Sequence, residues 1–255
     1  ELGYPILSHG VLAVGPKYGC THHLTLKELG YNSLNSHEEI INRLEDKNIG
    51  WAYADQSIFN PKLYSLMELR KKIIKRPVIT TVEVLVKPVT SKNDHYFTGF
   101  VHKPYPPIYL ELSRNAGFNS ASVVRGTEGG IIPSLRQAGK VHFYENINNQ
   151  DDVFEVKPED LDISQPSRAV DIPEDIIRKE TRDKIESKVD AIDIAKATLK
   201  SGLEALSGKD GPMMSCIQLG SAIILHRISG NSLEQCSKEI LKVIKSGSAL
   251  DRFKK

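Results

Sequence analysis

The sequence predicts an α/β protein in which a central mixed, mainly parallel sheet is flanked by helices. Three observations carry the prediction. Short β-branched or aromatic runs alternate with amphipathic stretches from Tyr4 to Asn146. Strands interleaved with helices favour a largely parallel sheet, because crossover connections lay helices on its faces. Glycine or proline punctuates most changes of period. At 255 residues the chain can bury one large core or two smaller ones.

Taken in order, "YPILSHGVLAVG" reads as a strand and turn punctuated by Gly10 and Gly15. "THHLTLKELG" follows as a short helix, capped by Thr21 and stopped by Gly30. Ser36 opens a second helix, and Glu39 three residues on completes a capping box. "IGWAYAD" is a strand, and "NPKLYSLMELRKKIIKR" is a helix with Pro61 in its first turn. Four strands are expected next, in "VITTVEVLV", "YFTGFV", "SASVVRG" and "KVHFYEN", with a helix "PPIYLELSRNAG" before the third. The tail is helical: "DAIDIAKATLKSGLEAL", a break at "SGKDGP", then "MMSCIQLGSAIILHRIS" and a last helix capped by Ser232. The expected organisation is an α/β core over 1–163 with an inserted helical portion, a charged linker and helix start over 164–190, and C-terminal helices over 191–255 packing on the same domain.

Composition excludes several classes. The three cysteines, Cys20, Cys216 and Cys236, are odd in number and contain no CxxC pair, which argues against a disulfide framework or zinc site and fits a reducing, cytoplasmic compartment. The longest strongly apolar run, "SAIILH", is far short of a membrane span, and no signal-peptide pattern opens the chain. No nucleophile motif of the GxSxG or HExxH type and no Walker sequence is present. His22 and His23 point in different directions on a helix and are expected to be ordinary surface residues. The net charge of +2 is too mild to identify a polyanion partner, so clustering of the basic residues matters.

Three stretches remain as functional candidates. "HGVLAVGPKYG", with His9 and Gly10, is either a phosphate-holding loop or a tight strand–helix connection. "RGTEGG" places Arg125, Gly126, Thr127, Glu128 and Gly129 at the C-terminal end of a strand, where α/β proteins hold ligands; the plain alternative is a turn. The basic residues Lys71, Lys72, Lys75, Arg76, Lys87, Lys92 and Lys103 run into a segment interleaved with Tyr96, Phe97, Phe100 and Tyr105. Such a mixture can track phosphates and stack bases, or it is a solvated face.

The order of these motifs resembles anthranilate phosphoribosyltransferase and its relatives in glycosyltransferase family 3. The landmarks are "HGVLAVGPKYGCTHHLTLKELG", "FNPKLYSLMELRKKIIKRP", "VVRGTEGG", "VKPEDLDI" and "GPMMSCIQLGSAIILHRISGNSLEQCSKEILKVIKSGSALDRF". The resemblance implies the nucleoside phosphorylase/phosphoribosyltransferase-like fold, an N-terminal helical domain incomplete in this chain, and a homodimer. It starts inside the family pattern, so the chain is expected to be part of a longer protein. The family's GTGGD-type pyrophosphate loop has no counterpart here. Its histidine–glycine loop keeps His9 and Gly10, but Ser8, Val11 and Leu12 stand where it has lysine, asparagine and arginine. The arginine that faces anthranilate matches Arg70, that of the RTxFN segment matches Arg76, and its asparagine falls on Thr80. The Asp-Glu pair that holds magnesium falls on Ile131 and Ile132, which cannot ligate a hard cation.

"HGV" and "RGTEG" are similar to a branch of the family described as nucleic-acid-binding. The expectation is a non-sequence-specific binder of single-stranded DNA or RNA, with Lys71, Lys72, Lys75, Arg76, Lys87, Lys103 and Arg125 on phosphates. No cofactor is expected on that reading. The alternative is a phosphoribosyltransferase or phosphorylase using an acceptor other than anthranilate, or, second to that, anthranilate itself, with His9, Gly10, Arg70 and Gly126 to Gly129 as its anion and substrate loops and with magnesium as its cofactor.

Overall fold

The computed structural model describes residues 1–13, 19–73, 78–177 and 189–255, without the side chains of Lys71 and Glu128. Part of the "HGVLAVGPKYG" loop, Lys75 and Arg76, and much of the charged linker therefore lie outside the described residues.

Strand β1 (Ile6–Gly10) leads to helix α1 (His22–Glu28), whose N-cap Thr21 accepts from the Leu24 N–H. Gly30, at φ +86°, follows α1 in the left-handed conformation that glycine adopts at least cost. Helix α2 (His37–Glu45) has the full Ser36–Glu39 capping box and is followed by strand β2 (Trp51–Asp55).

The single helix expected over "NPKLYSLMELRKKIIKR" is instead broken. Helix α3 (Gln56–Phe59) precedes it, and α4 (Pro61–Tyr64) and α5 (Met67–Lys72) divide it. Asn60 caps the Leu63 N–H, and Ser65 donates its hydroxyl to the Lys62 carbonyl at 2.7 Å, a local bond that competes with helix continuation. "VITTVEVLV" is not a strand: it forms helix α6 (Ile79–Val82) and a 3-10 turn, Glu83–Leu85. β-branched residues favour strands only where a half-buried pleated surface receives them, and Val78 and Val82 lie exposed.

Beyond this lie β3 (His95–Gly99), α7 (Tyr105–Asn115), β4 (Ser120–Val124), β5 (Gly139–Tyr144) and β6 (Asp152–Val156). The strand β6 was not expected, because its mostly exposed, charge-bearing "DVFEV" carries a weak apolar signal. The C-terminal helices are α8 (Ala191–Leu206), α9 (Pro212–Ser229), α10 (Leu233–Lys245) and α11 (Ser248–Phe253).

The α/β fold with mixed sheets is present. Strands β1 and β2 form a parallel pair, in register from Ile6 opposite Trp51 to Gly10 opposite Asp55. The other sheet has the order β3–β4–β5–β6, with β3 parallel to β4 and the remaining pairs antiparallel. The short turn between β5 and β6 permits only antiparallel pairing, since a parallel partner needs a long crossover.

Contacts divide the chain into two units. The first comprises Glu1–Val84, Asp171–Glu204 and Leu250–Lys255, and the second comprises Leu85–Val170 and Ala205–Ala249. In the first, Tyr53 and Ile40 are fully buried, and Trp51 stacks on Phe253 at 5.2 Å. In the second, Val124, Val141 and Val156 pack with Leu135 and with Leu219 and Ile223 of α9.

Candidate functional site

The glycine-rich turn belongs to the second unit and follows β4, whose five residues are all buried. Its glycines serve chain packing. A Cβ on Gly126 would lie 1.5 Å from the Gly130 carbonyl oxygen, and one on Gly99, at the end of β3, would lie 2.1 Å from the same atom. The turn also uses its own amides: Thr127, Gly129 and Gly130 donate to the carbonyls of Ile132, Gly126 and Thr127. An anion-holding loop needs such N–H groups turned outward. Here three of them face inward, so the plain reading of "RGTEGG" as a turn is the one the geometry fits. Arg125 is exposed beside it, and the Thr127 hydroxyl is buried with no hydrogen-bond partner.

The two isoleucines at the implied metal positions differ in role. Ile131 is exposed, whereas Ile132 packs against the Val124–Val141–Leu219 core, and a Cβ on Gly220 of α9 would meet its Cγ1 at 3.1 Å. Hydrocarbon supplies no oxygen ligand, and no cluster of three or more His, Cys, Asp or Glu suited to a metal exists among the described residues. The isoleucine pair therefore offers magnesium no ligand.

In the first unit a second polar group forms at the C-terminal end of the β1–β2 pair. His23, buried on α1, shares a 2.7 Å hydrogen bond through Nδ1 with Oδ2 of buried Asp55. The other carboxylate oxygen of Asp55 accepts from the Ser57 N–H at 2.9 Å and the Ser57 hydroxyl at 2.5 Å. A carboxylate only accepts, so Nδ1 carries the proton of this bond, and in the neutral form of such a ring the lone pair sits on Nε2. The His23 ring stands edge-on to Tyr53, with centroids 5.6 Å apart.

Tyr53 Oη and Gln56 Oε1 are buried beside this pair with no hydrogen-bond partner. Burial, helped by the nearby Asp55 charge, drives the Tyr53 phenol upward from its usual pKa. Gly10, opposite Asp55 in the register, leaves space for the phenol: a Cβ there would lie 3.3 Å from Tyr53 Oη. His9, one residue earlier, is partly buried and packs edge-on against Phe59. Desolvation lowers its pKa, against an opposing hydrogen bond with the Val84 backbone.

His22 is exposed as the sequence led one to expect, but His23 is not a surface residue. The adjacency of the two histidines concealed this, because the partner of His23 lies 32 residues away. The available signal was an aspartate closing a buried strand, directly before a helix start.

The remaining candidates are divided between the two units. Arg70 is buried in the first unit, with Nη1 paired to Glu83 and 3.9 Å from Met67 Sδ. Lys87 of the second unit is committed internally: Nζ donates to the Gly117 carbonyl at 2.7 Å, pairs with Asp94 at 3.1 Å and lies over the Phe118 ring at 4.2 Å. It therefore does not offer a free charge to a phosphate. Tyr96 and Phe100, expected as stacking platforms, are buried, while Tyr105 remains exposed. Lys72 of the first unit and Lys92, Lys103 and Arg125 of the second are exposed.

With this geometry in hand, the fold is that of the phosphoribosyltransferases that act on anthranilate. The solved anthranilate phosphoribosyltransferase of Saccharomyces cerevisiae, in complex with PRPP and Mg, superposes with TM-score 0.72 at 16% identity, covering 98% of this chain and 65% of that one. Its complex with 4-fluoroanthranilate gives TM-score 0.69 at 16% identity, over 99% and 63%. The enzyme from Thermus thermophilus gives 0.69 at 17% identity, over 99% and 68%. No protein-family model matches the chain. An uncharacterized protein of Aquifex aeolicus is 28% identical over 172 residues, which are 65% of this chain and 46% of that protein. The chain thus spans about half of that relative and roughly two thirds of the solved transferases. No helix among the described residues is long and apolar enough to cross a membrane.

Proposed function

We propose that the chain is the core of a pentosyltransferase that works without a divalent metal at the turn after β4. The observation that carries this reading is the buried His23–Asp55 pair at the C-terminal end of parallel strands, the place where α/β folds hold ligands. Likeness to the phosphoribosyltransferase fold supports the reaction class. Ile132 in the core argues against metal-assisted departure of pyrophosphate from that turn. The ion pair with Glu83 engages Arg70, the residue that the family resemblance aligns with the arginine facing anthranilate, so an acceptor other than anthranilate is favoured.

The test is acceptor-dependent release of phosphate or pyrophosphate from ribose 1-phosphate or phosphoribosyl pyrophosphate by the full-length protein in EDTA. Release that requires an acceptor supports the proposal. No release from either donor at millimolar concentration overturns it.

A second reading, binding of single-stranded nucleic acid, keeps one favourable observation. Lys72, Lys103 and Arg125 are exposed and make no ion pair or side-chain hydrogen bond among the described residues. It loses Lys87 and the buried rings of Tyr96 and Phe100. Oligonucleotide affinity that falls steeply with salt, by a log–log slope of roughly −0.7 per phosphate engaged, would favour it; salt-independent binding would remove it.

A further inference from the structure

We propose that His23 takes the proton of the acceptor during pentosyl transfer and that Asp55 is its positioning residue. This rests on the transferase reading above. Four observations lead to it. The Nδ1···Oδ2 bond of 2.7 Å fixes the ring, and the two Ser57 bonds fix the carboxylate that holds it. Thr21, the cap of α1, donates its hydroxyl to the Leu12 carbonyl at 2.9 Å, tying the helix that carries His23 to the segment after β1. Nε2 makes no hydrogen bond among the described residues, and the side chain keeps 10% of its surface exposed. Tyr53 Oη and Gln56 Oε1, on either side of Asp55 in sequence, are buried and unpartnered.

A buried His–Asp pair used only for packing would leave these polar atoms without compensation, a desolvation cost for each. A bound acceptor supplies partners. The pair also has the logic of an oriented general base: one nitrogen is held by a carboxylate and the other faces the reacting group.

The step balances as follows. A lone pair on the nitrogen or oxygen of an acceptor bearing an N–H or O–H attacks C1 of the pentose, forming the new bond. The C1–O bond to the phosphate leaving group breaks, and its electron pair remains on the departing oxygen. The acceptor's proton passes to Nε2 of His23, and the imidazolium that forms lies against the Asp55 carboxylate. The groups in contact with the ring are Asp55 and Tyr53 of β2; His22 precedes it on α1, and His9 is the penultimate residue of β1.

The experiment uses the full-length protein, radiolabelled ribose 1-phosphate and phosphoribosyl pyrophosphate as donors, and the variants His23→Asn and Asp55→Asn. Asparagine at 23 can keep a donor toward Asp55 while presenting no base in the place of Nε2. The expected result for His23→Asn is donor affinity close to wild type, with turnover lowered by about 10²- to 10⁴-fold and the acid limb of its pH profile gone. Asp55→Asn is expected to lower turnover and to move the ring proton to Nε2, because an asparagine amide can donate to Nδ1, a change read by nitrogen NMR of labelled histidine. Wild-type turnover retained in His23→Asn, with the acid limb intact, overturns the role of His23 but leaves the transferase reading standing. No turnover by the wild type with either donor overturns both. In the wild type, a neutral ring protonated on Nε2 rather than Nδ1 overturns the inferred base whatever the activity.

Discussion

At Gly126 the turn after β4 has room for a hydrogen atom and nothing larger. The Gly130 carbonyl passes so close that a methyl group at 126 would lie 1.5 Å from it. Backbone cannot yield as a side-chain tip does, so Gly126→Ala is expected to cost about 3 kcal/mol or more, read as a lower urea midpoint. Gly130 is the control. Its Cβ would meet only the Thr127 carbonyl, at 3.5 Å, and its φ of −74° suits any residue. Gly130→Ala should therefore stay within about 0.5 kcal/mol of wild type. Equal losses in the two variants would refute this account of the turn. From sequence, "RGTEGG" shows that glycine is required but not which neighbour requires it, because that neighbour is the chain's own backbone. Ile131 and Ile132 were legible as an absence of metal ligands, whereas the packing of Ile132 against α9 needed the structure.

Elements whose signals are local were read correctly. The Ser36–Glu39 box, the cap at Thr21 and the start of α10 at Ser232 all depend on residues within three positions of each other. Ser232 accepts from the Gln235 N–H, and Gln235 returns a bond to the Ser232 N–H at 3.2 Å. Ser232→Ala should lower stability by about 1 kcal/mol in equilibrium unfolding, and a change below about 0.3 kcal/mol would show that the cap is replaced by water. Where tertiary packing decides, the local signal failed. "VITTVEVLV" has strand composition but forms helix and 3-10 turn, and β6 has little apolar signal yet pairs along β5. The His23–Asp55 pair joins two elements distant in sequence and left no periodic trace.

For the whole molecule, the fold class followed from alternation of strand and helix signals, while division of the strands between two sheets did not. One property summed over both units is acid sensitivity. Burial lowers the pKa of His9 in the first unit and of His142 in the second, where the Lys140 charge adds to it. The unfolded chain, with histidine near 6.5, then binds more protons than the folded one. The contribution of these groups is complete above about pH 6.5 and is lost as pH falls below it, so the urea midpoint should drop between about pH 7.5 and 5.5. His142→Gln should shallow that drop, and an unchanged slope would contradict the assignment. On the transferase reading proposed above, pentose ligands are held without a divalent cation, because one implied metal position, Ile132, is packed into the core and the other, Ile131, is hydrocarbon as well. Calorimetric titration of the full-length protein with ribose 1-phosphate and phosphoribosyl pyrophosphate, in EDTA and then in magnesium, tests it most directly. At least one donor should bind in EDTA, with an affinity within about twofold, or ~0.4 kcal/mol, of that in magnesium; binding that appears only with magnesium would rule out metal-free capture.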